Sequence, residues 1–248
     1  SFSIVSVKGQ CDSAKVFATA ARYIEAGLCD AALVGGVDSL CDTTLYGFNA
    51  LQLVSDSICR PADQQRKGLS LGEAAGFAIV ERTEAVSSTA IQLLGYGESS
   101  DAHHMSTPDP SGGGAASAMQ QALQRGGKVA NDIDYINLHG TATPSNDGIE
   151  CKAVGQVLPD VACSSTKGWT GHTLGAAGVL EAIIAMLSIE HGFIPKSLNT
   201  DTIDSDIDAA IPQQLQRETS QQPVQLAMTN SFGFGGNNCS LLFGRPKQ

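Results

Sequence analysis

The chain has 248 residues, enough for one large domain or two small ones around a substantial core. A hydrophobic fraction of 42%, few aromatics and 27 glycines fit an α/β protein with close helix-on-sheet packing and argue against disorder. The formal net charge of -10 weighs against nucleic acid or an anionic membrane surface as the main partner.

Residues 2–7 (FSIVSV) read as a buried strand that runs straight into Lys8-Gly9-Gln10-Cys11, the opening turn of a helix. Ala14, Phe17, Ala18, Ala21 and Ile24 then recur at helical spacing until Gly27 stops the helix, and 31–37 form a second strand. The opening is therefore β-α-β. Residues 38–75 are expected to be loop-rich, with strands at 75–81 and 90–96, the latter ended by Gly97. A polar loop from Glu98 to Met105 follows, holding His103 and His104, which read as surface or loop residues like His191. Next come a helix at 115–125, a strand at 135–138 ending at His139, a helix at 146–157, a strand at 161–165 and a long apolar helix at 176–191. The chain closes on a hairpin, 224–228 and 239–243, joined by a glycine-rich loop. Alternating strands and helices give α/β layers. No apolar run of ~18 or more residues and no signal peptide is expected, so no membrane span is read. The seven cysteines are widely spaced with no CxxC pair, which points to free thiols in a reducing, cytosolic setting rather than to disulfides or zinc.

Three segments concentrate the chemistry, each just after an expected strand, where α/β proteins place ligand-binding loops. They are His139-Gly140-Thr141-Ala142-Thr143-Pro144 with Asn146-Asp147, the run from Ser164 through Lys167-Gly168-Trp169-Thr170-Gly171-His172 to Gly178, and the run from Asn230 through Phe232, Phe234, Gly235 and Gly236 to Asn238. Together they bring two histidines and a lysine toward a cysteine at a helix start. Such a start offers unpaired N–H groups that lower a thiol pKa or cradle an oxyanion. Two neutral imidazoles can donate hydrogen bonds to a developing enolate or act as a base. Lys167 is placed to orient an imidazole through a neighbouring carboxylate, with Asp147 or Glu150 as candidates. A lone histidine is more often structural, but the Gly/Thr/Ser setting of His139 and His172 favours function.

These three loops resemble the signature loops of the β-ketoacyl-acyl-carrier-protein synthases of the thiolase superfamily. Ala20-Ala21-Arg22, Gly35-Gly36, Arg60-Pro61, Gly72-Glu73 and Ser99 to His104 add to the resemblance, which covers residues 1 to about 245. It implies a layered α-β-α-β-α thiolase-like fold made of two similar halves. Residues 1–85 would be the remainder of the N-terminal half, and 86–248 the C-terminal half carrying the His/Lys and glycine-rich loops. It also implies an acyltransferase that joins an acyl group on a cysteine to a malonyl group on acyl carrier protein with loss of carbon dioxide, in fatty-acid or polyketide synthesis. His139 and His172 would assist decarboxylation and Lys167 would support them. Thr141 and Thr143 would contact the phosphopantetheine arm. Phe234, with Phe232 in the same loop, would gate the acyl pocket, and Gly235-Gly236 would let the backbone approach closely. No metal or redox cofactor is implied, because the phosphopantetheine belongs to the carrier. The partners implied are acyl carrier protein and a ketosynthase-family subunit in a homo- or heterodimer.

Two departures qualify that picture. Alignment on Ser13-Ala14-Lys15 and Ala20-Ala21-Arg22 puts Gln10 at the nucleophile's place and Cys11 one residue later, about 100° further round a helix. Glutamine there resembles decarboxylating loading synthases and the chain-length factors that pair with working synthases. The alternative, a shifted register in which Cys11 reaches the pocket, stays open. The second departure is length: the family carries a further strand-helix segment before the nucleophile strand, so the first half is expected to be incomplete and its sheet uncovered unless another polypeptide completes it.

Overall fold

The computed structural model describes residues 12–85, 90–211 and 213–245. The strand expected at 2–7 and the Gln10-Cys11 turn lie outside the described residues. α1 (Asp12–Glu25) follows the expected helical spacing, with Ala14, Phe17, Ala18 and Ile24 forming its buried stripe. β1 (Ala31–Asp38) pairs antiparallel with β2 (Ala74–Glu81) along its whole length, from Ala31↔Glu81 to Asp38↔Ala74. Between them, where only loop was expected, lies a helix, α2 (Asp42–Ala50). None of its residues is buried, so it has no apolar stripe for a periodicity argument to find.

The second half is a five-stranded sheet. Its strands are β3 (Gln92–Ser100), β4 (Tyr135–Asn137), β5 (Ala162–Ser164), β8 (Leu226–Gly233) and β9 (Asn237–Gly244), in the order β3-β9-β8-β4-β5. β4 runs parallel to β5 and β8, and β9 runs antiparallel to β3 and β8. The closing hairpin is longer than expected, so Asn230 to Gly233 are strand rather than loop. Helices α3 (Gly113–Gly126) and α4 (Pro144–Val157) cover one face, with Met119, Ala122 and Val154 packed on Ile136, Met228 and Leu242. On the other face lie α1 and α6 (Ala177–His191). There Phe17, Val179 and Ala182 meet Tyr135, Ala227, Leu241 and Phe243, and reach Val34, Ala78 and Val80 of the small sheet. The short elements α5 (Lys167–Thr170), β6 (Phe193–Ile194), α7 (Ser205–Ala210) and β7 (Ser220–Gln221) complete the described chain.

The described residues thus stack as α-β-α-β. Among the described residues the two-stranded sheet is covered on its inner side only: Leu33, Val37, Phe77 and Ile79 point outward and are 58% to 72% exposed. Period-2 alternation sends every second side chain of β1 and β2 to that bare face. Leu174–His191, with mean hydropathy 1.5 over 18 residues, is long and apolar enough to cross a membrane by length and composition, contrary to expectation. It is the core helix held between the two sheets, which explains why most of its residues are apolar.

β3 also corrects the reading of Gly97 as a strand end, since the strand continues to Ser100. Gly97 is instead the point where α3 presses on the sheet: a Cβ there would lie 1.8 Å from the Ala118 carbonyl oxygen. Gly97→Ala is therefore expected to destabilise the fold by about 3 kcal/mol, the upper range for overpacking, because backbone rather than a flexible side chain must move. Urea unfolding would show it as a lower midpoint, and a midpoint unchanged from wild type would refute this account.

Candidate active site

The site forms at the carboxyl ends of β4 and β5, with the β8–β9 turn alongside. His139 follows β4 and is buried; its backbone N–H and that of Gly140 donate to the two oxygens of Glu150, each at 2.8 Å. His172 stands beyond α5, held by its N–H on the Ser70 carbonyl at 2.7 Å and by the Gly72 N–H on its own carbonyl at 3.0 Å. The two imidazole rings meet edge to face with centroids 5.3 Å apart, and Phe232 lies 5.9 Å from His139.

Lys167 opens α5 and is buried beside them. Its ammonium donates to the His139 carbonyl and to the Glu181 carboxylate of α6, and lies 3.4 Å from His139 Nδ1. The carboxylate partner is thus Glu181, not Asp147 or Glu150 as expected. Both of those sit on α4 and are occupied by backbone donors. Glu150 holds His139, Gly140 and the Asn230 amide, while Asp147 holds the N–H groups of Ala62 and Ala142. Glu181 did carry a signal, being one charged residue inside a helix otherwise apolar through Leu187.

The geometry sets both imidazole tautomers. An ammonium can only donate, so His139 Nδ1 facing Lys167 is an acceptor and the ring proton resides on Nε2. His172 Nδ1 accepts the Leu174 N–H at 3.1 Å, which again leaves the proton on Nε2. Burial pushes both imidazole pKa values well below 6.5, and the nearby Lys167 charge pushes them further. Near neutral pH both rings are uncharged and each offers one N–H. Burial likewise raises the Glu181 carboxyl to about 7, against the downward pull of Lys167. Its Oε2 has no donor among the described residues.

Both rings line a cleft shared with Thr141, Thr143, Leu53, Phe232, Phe234 and Gly236. The Thr141 and Thr143 hydroxyls lie 2.8 Å apart. Phe234, at the turn between β8 and β9, is part-exposed and stacks on Phe48 of α2, with centroids 5.9 Å apart. The Gly235 N–H donates to the Met105 carbonyl at 2.7 Å, and Gly236 lies so close to Asp101 that a Cβ would be 2.7 Å from that residue's Cβ. All the singled-out residues of the three loops therefore converge. Gln10 and Cys11 lie outside the described residues; the first turn of α1 meets the start of α6, where Ser13 Oγ accepts the Val179 N–H at 3.1 Å. Sequence reasoning missed Glu181, Phe48 and Leu53, and His103 and His104 are exposed as expected. Cys239 is buried within β9 in the α1/α6 core and does not line the cleft.

The sequence model for the beta-ketoacyl synthase N-terminal domain matches residues 3–85, and that for the beta-ketoacyl synthase C-terminal domain matches 91–201. The chain belongs to the β-ketoacyl synthase family. This β-ketoacyl synthase chain is 40% identical over 243 residues to the mitochondrial 3-oxoacyl-[acyl-carrier-protein] synthase of Arabidopsis thaliana, covering 90% of this chain and 52% of that protein. It is 38% identical over 259 residues to 3-oxoacyl-[acyl-carrier-protein] synthase 2 of Rhizobium meliloti, covering 97% and 60%. Among solved structures it resembles a ketosynthase in complex with its chain length factor from Xenorhabdus doucetiae, with a TM-score of 0.88, 41% identity, and 94% and 58% coverage. A type II polyketide acyl carrier protein in complex with its ketosynthase gives a TM-score of 0.91 at 25% identity, with 99% and 64% coverage. The fold is thiolase-like, and the chain spans between 52% and 60% of the length of these two curated relatives.

Proposed function

We propose that this chain carries the malonyl-decarboxylating site of a β-ketoacyl-acyl-carrier-protein synthase-type acyltransferase, acting on malonyl- and acyl-carrier thioesters in fatty-acid or polyketide elongation. The observation that carries the reading is the pair of buried, neutral imidazoles, His139 and His172, each offering an Nε2–H at one cleft. When the malonyl C–C bond breaks and carbon dioxide leaves, the electron pair moves onto the thioester oxygen as an enolate. Two preorganised N–H donors in a dry site stabilise that charge. Thr141 and Thr143 offer hydroxyls to the amides of the carrier's phosphopantetheine arm, and Phe232 and Phe234 flank the acyl end. Phe48, stacked on Phe234, braces that side from α2. Condensation additionally needs an acyl thioester on a nucleophile, and Gln10 with Cys11 beside it stands at that place in the sequence. The setting proposed is the cytosol, with acyl carrier protein and a ketosynthase-family subunit as partners. The bare outer face of β1–β2 supports the need for further polypeptide against this half.

A second reading has a specific basis: the Lys8-Gly9-Gln10-Cys11 turn resembles that of chain-length factors, which would make the chain a non-condensing partner of an active synthase. Release of carbon dioxide from malonyl-carrier by the folded chain separates the two. Release supports the decarboxylating site, and its absence leaves the partner role.

The depressed imidazole pKa values fix the pH dependence. An imidazole whose pKa lies below 6.5 stays a neutral donor as pH falls through that value. Carbon dioxide release is therefore expected to hold its rate through pH 6.5 and to fall only at clearly lower pH. An acid limb centred at 6.5 or above would contradict the assignment of neutral, buried donors.

A further inference from the structure

We propose that Asp147 is a positioning residue for the carrier's arm, holding both walls of the arm's passage at a set separation. The proposal rests on the reading of Thr141 and Thr143 as arm contacts. Asp147 lies in the first turn of α4 and is 2% exposed. Its Oδ1 accepts the Ala142 N–H at 3.1 Å and its Oδ2 accepts the Ala62 N–H at 2.8 Å. Ala142 sits between the two threonines at φ +65°, a left-handed conformation that costs an alanine free energy unless its surroundings hold it.

The Ala142 carbonyl is held as well, by the Gly68 N–H at 3.1 Å. Gly68 is at φ +139°, and a Cβ there would lie 2.3 Å from the Leu53 carbonyl oxygen, so it is pressed against the backbone of the residue that lines the cleft beside the threonines. The Leu69 N–H donates to that same Leu53 carbonyl at 2.8 Å. One carboxylate therefore ties residues 59–68, through Ala62, to the 139–143 loop, through Ala142. Arg66 stands behind it, with Nε 3.8 Å from Oδ2 and its Nη1 bound to Asp204 at 2.8 Å and to the Asp63 carbonyl at 2.9 Å.

The chemistry of the clamp requires a carboxylate. Two backbone N–H groups face its two oxygens, whereas an amide has one acceptor oxygen and would turn its NH2 toward one of those N–H groups. Asp147→Asn keeps the shape and releases one wall. A ligand that spans the threonines then loses contacts, and a shorter one does not.

The test compares pantetheine with N-acetylcysteamine, which keeps the thiol end and lacks the rest of the arm. Binding of each to the wild-type chain, to Asp147→Asn and to Arg66→Gln is measured by calorimetry. Arg66→Gln leaves both N–H contacts of Asp147 in place and serves if Asp147→Asn does not fold. Wild type is expected to prefer pantetheine. Asp147→Asn is expected to weaken pantetheine about tenfold or more, the effect of one buried hydrogen bond left unmade, with N-acetylcysteamine unchanged within about twofold. Arg66→Gln moves pantetheine affinity the same way by less. Equal losses for both thiols, or no selective loss in any folded variant, overturn the positioning role while leaving the arm reading intact. A wild type without preference for pantetheine overturns the arm reading, and the positioning role with it.

Discussion

Alanine in place of His139 or His172 is expected to slow carbon dioxide release from malonyl-carrier by about 100-fold or more, the usual effect of removing one donor from a preorganised oxyanion site. Each ring supplies one Nε2–H, and each is oriented independently: His139 by Lys167 on Nδ1, His172 by the Leu174 N–H on Nδ1. The losses are not expected to add in the double variant, since both donors serve one oxygen. His172→Gln discriminates further, because an amide N–H can reach the place of Nε2–H and should retain more activity than His172→Ala. The rate is measured as carbon dioxide release under saturating malonyl-carrier, beside an unfolding curve for each variant. A folded His139→Ala chain that keeps more than about a tenth of the wild-type rate would remove this histidine from the chemistry.

The distribution of what could be read from the sequence follows from physics. His139, Lys167 and His172 stood out because each lies in a polar, glycine-rich loop directly after a strand, a place that packing alone does not explain. Glu181 did not, because a buried charge inside an apolar helix names its partner only when the helix is docked, whereas Asp147 and Glu150 stand within a few residues of the His139 loop. α2 was missed because none of its residues is buried, and its contribution, Phe48 against Phe234, is a contact across the chain that no local pattern carries. Gly97 was misread because a glycine in a strand signals either an end or a close approach, and only the position of Ala118 on α3 decides between them. The layered fold was legible from alternating periodicities.

Lys167→Met is expected to destabilise the fold by up to about 3–5 kcal/mol at alkaline pH, where Glu181 must ionise while buried without its partner. Part of that loss is relieved by protonation, and the direction follows from the carboxyl's environment. In the wild type Glu181 titrates at about 7 against 4.5 for an ordinary glutamate, raised by burial. A carboxyl with a raised folded pKa favours the folded state below pH 4.5, and that contribution is lost as pH climbs through 7. Removing Lys167 raises it further, so the deficit of Lys167→Met relative to wild type should be small in mild acid and grow steadily above pH 7. The double variant Lys167→Met with Glu181→Leu removes both charges, and stability is expected to return to within about 1 kcal/mol of wild type. Activity is not expected to return with it. His139 Nδ1 then faces a methyl group in place of an ammonium, so nothing holds the ring proton on Nε2, and the pKa of His139 moves up toward the ordinary imidazole range. Urea midpoints measured from pH 5 to 8, set beside carbon dioxide release, separate the two roles. Recovery of stability alone assigns the ion pair to orienting His139. Recovery of both would reduce it to packing, and the tautomer argument for this site would fail.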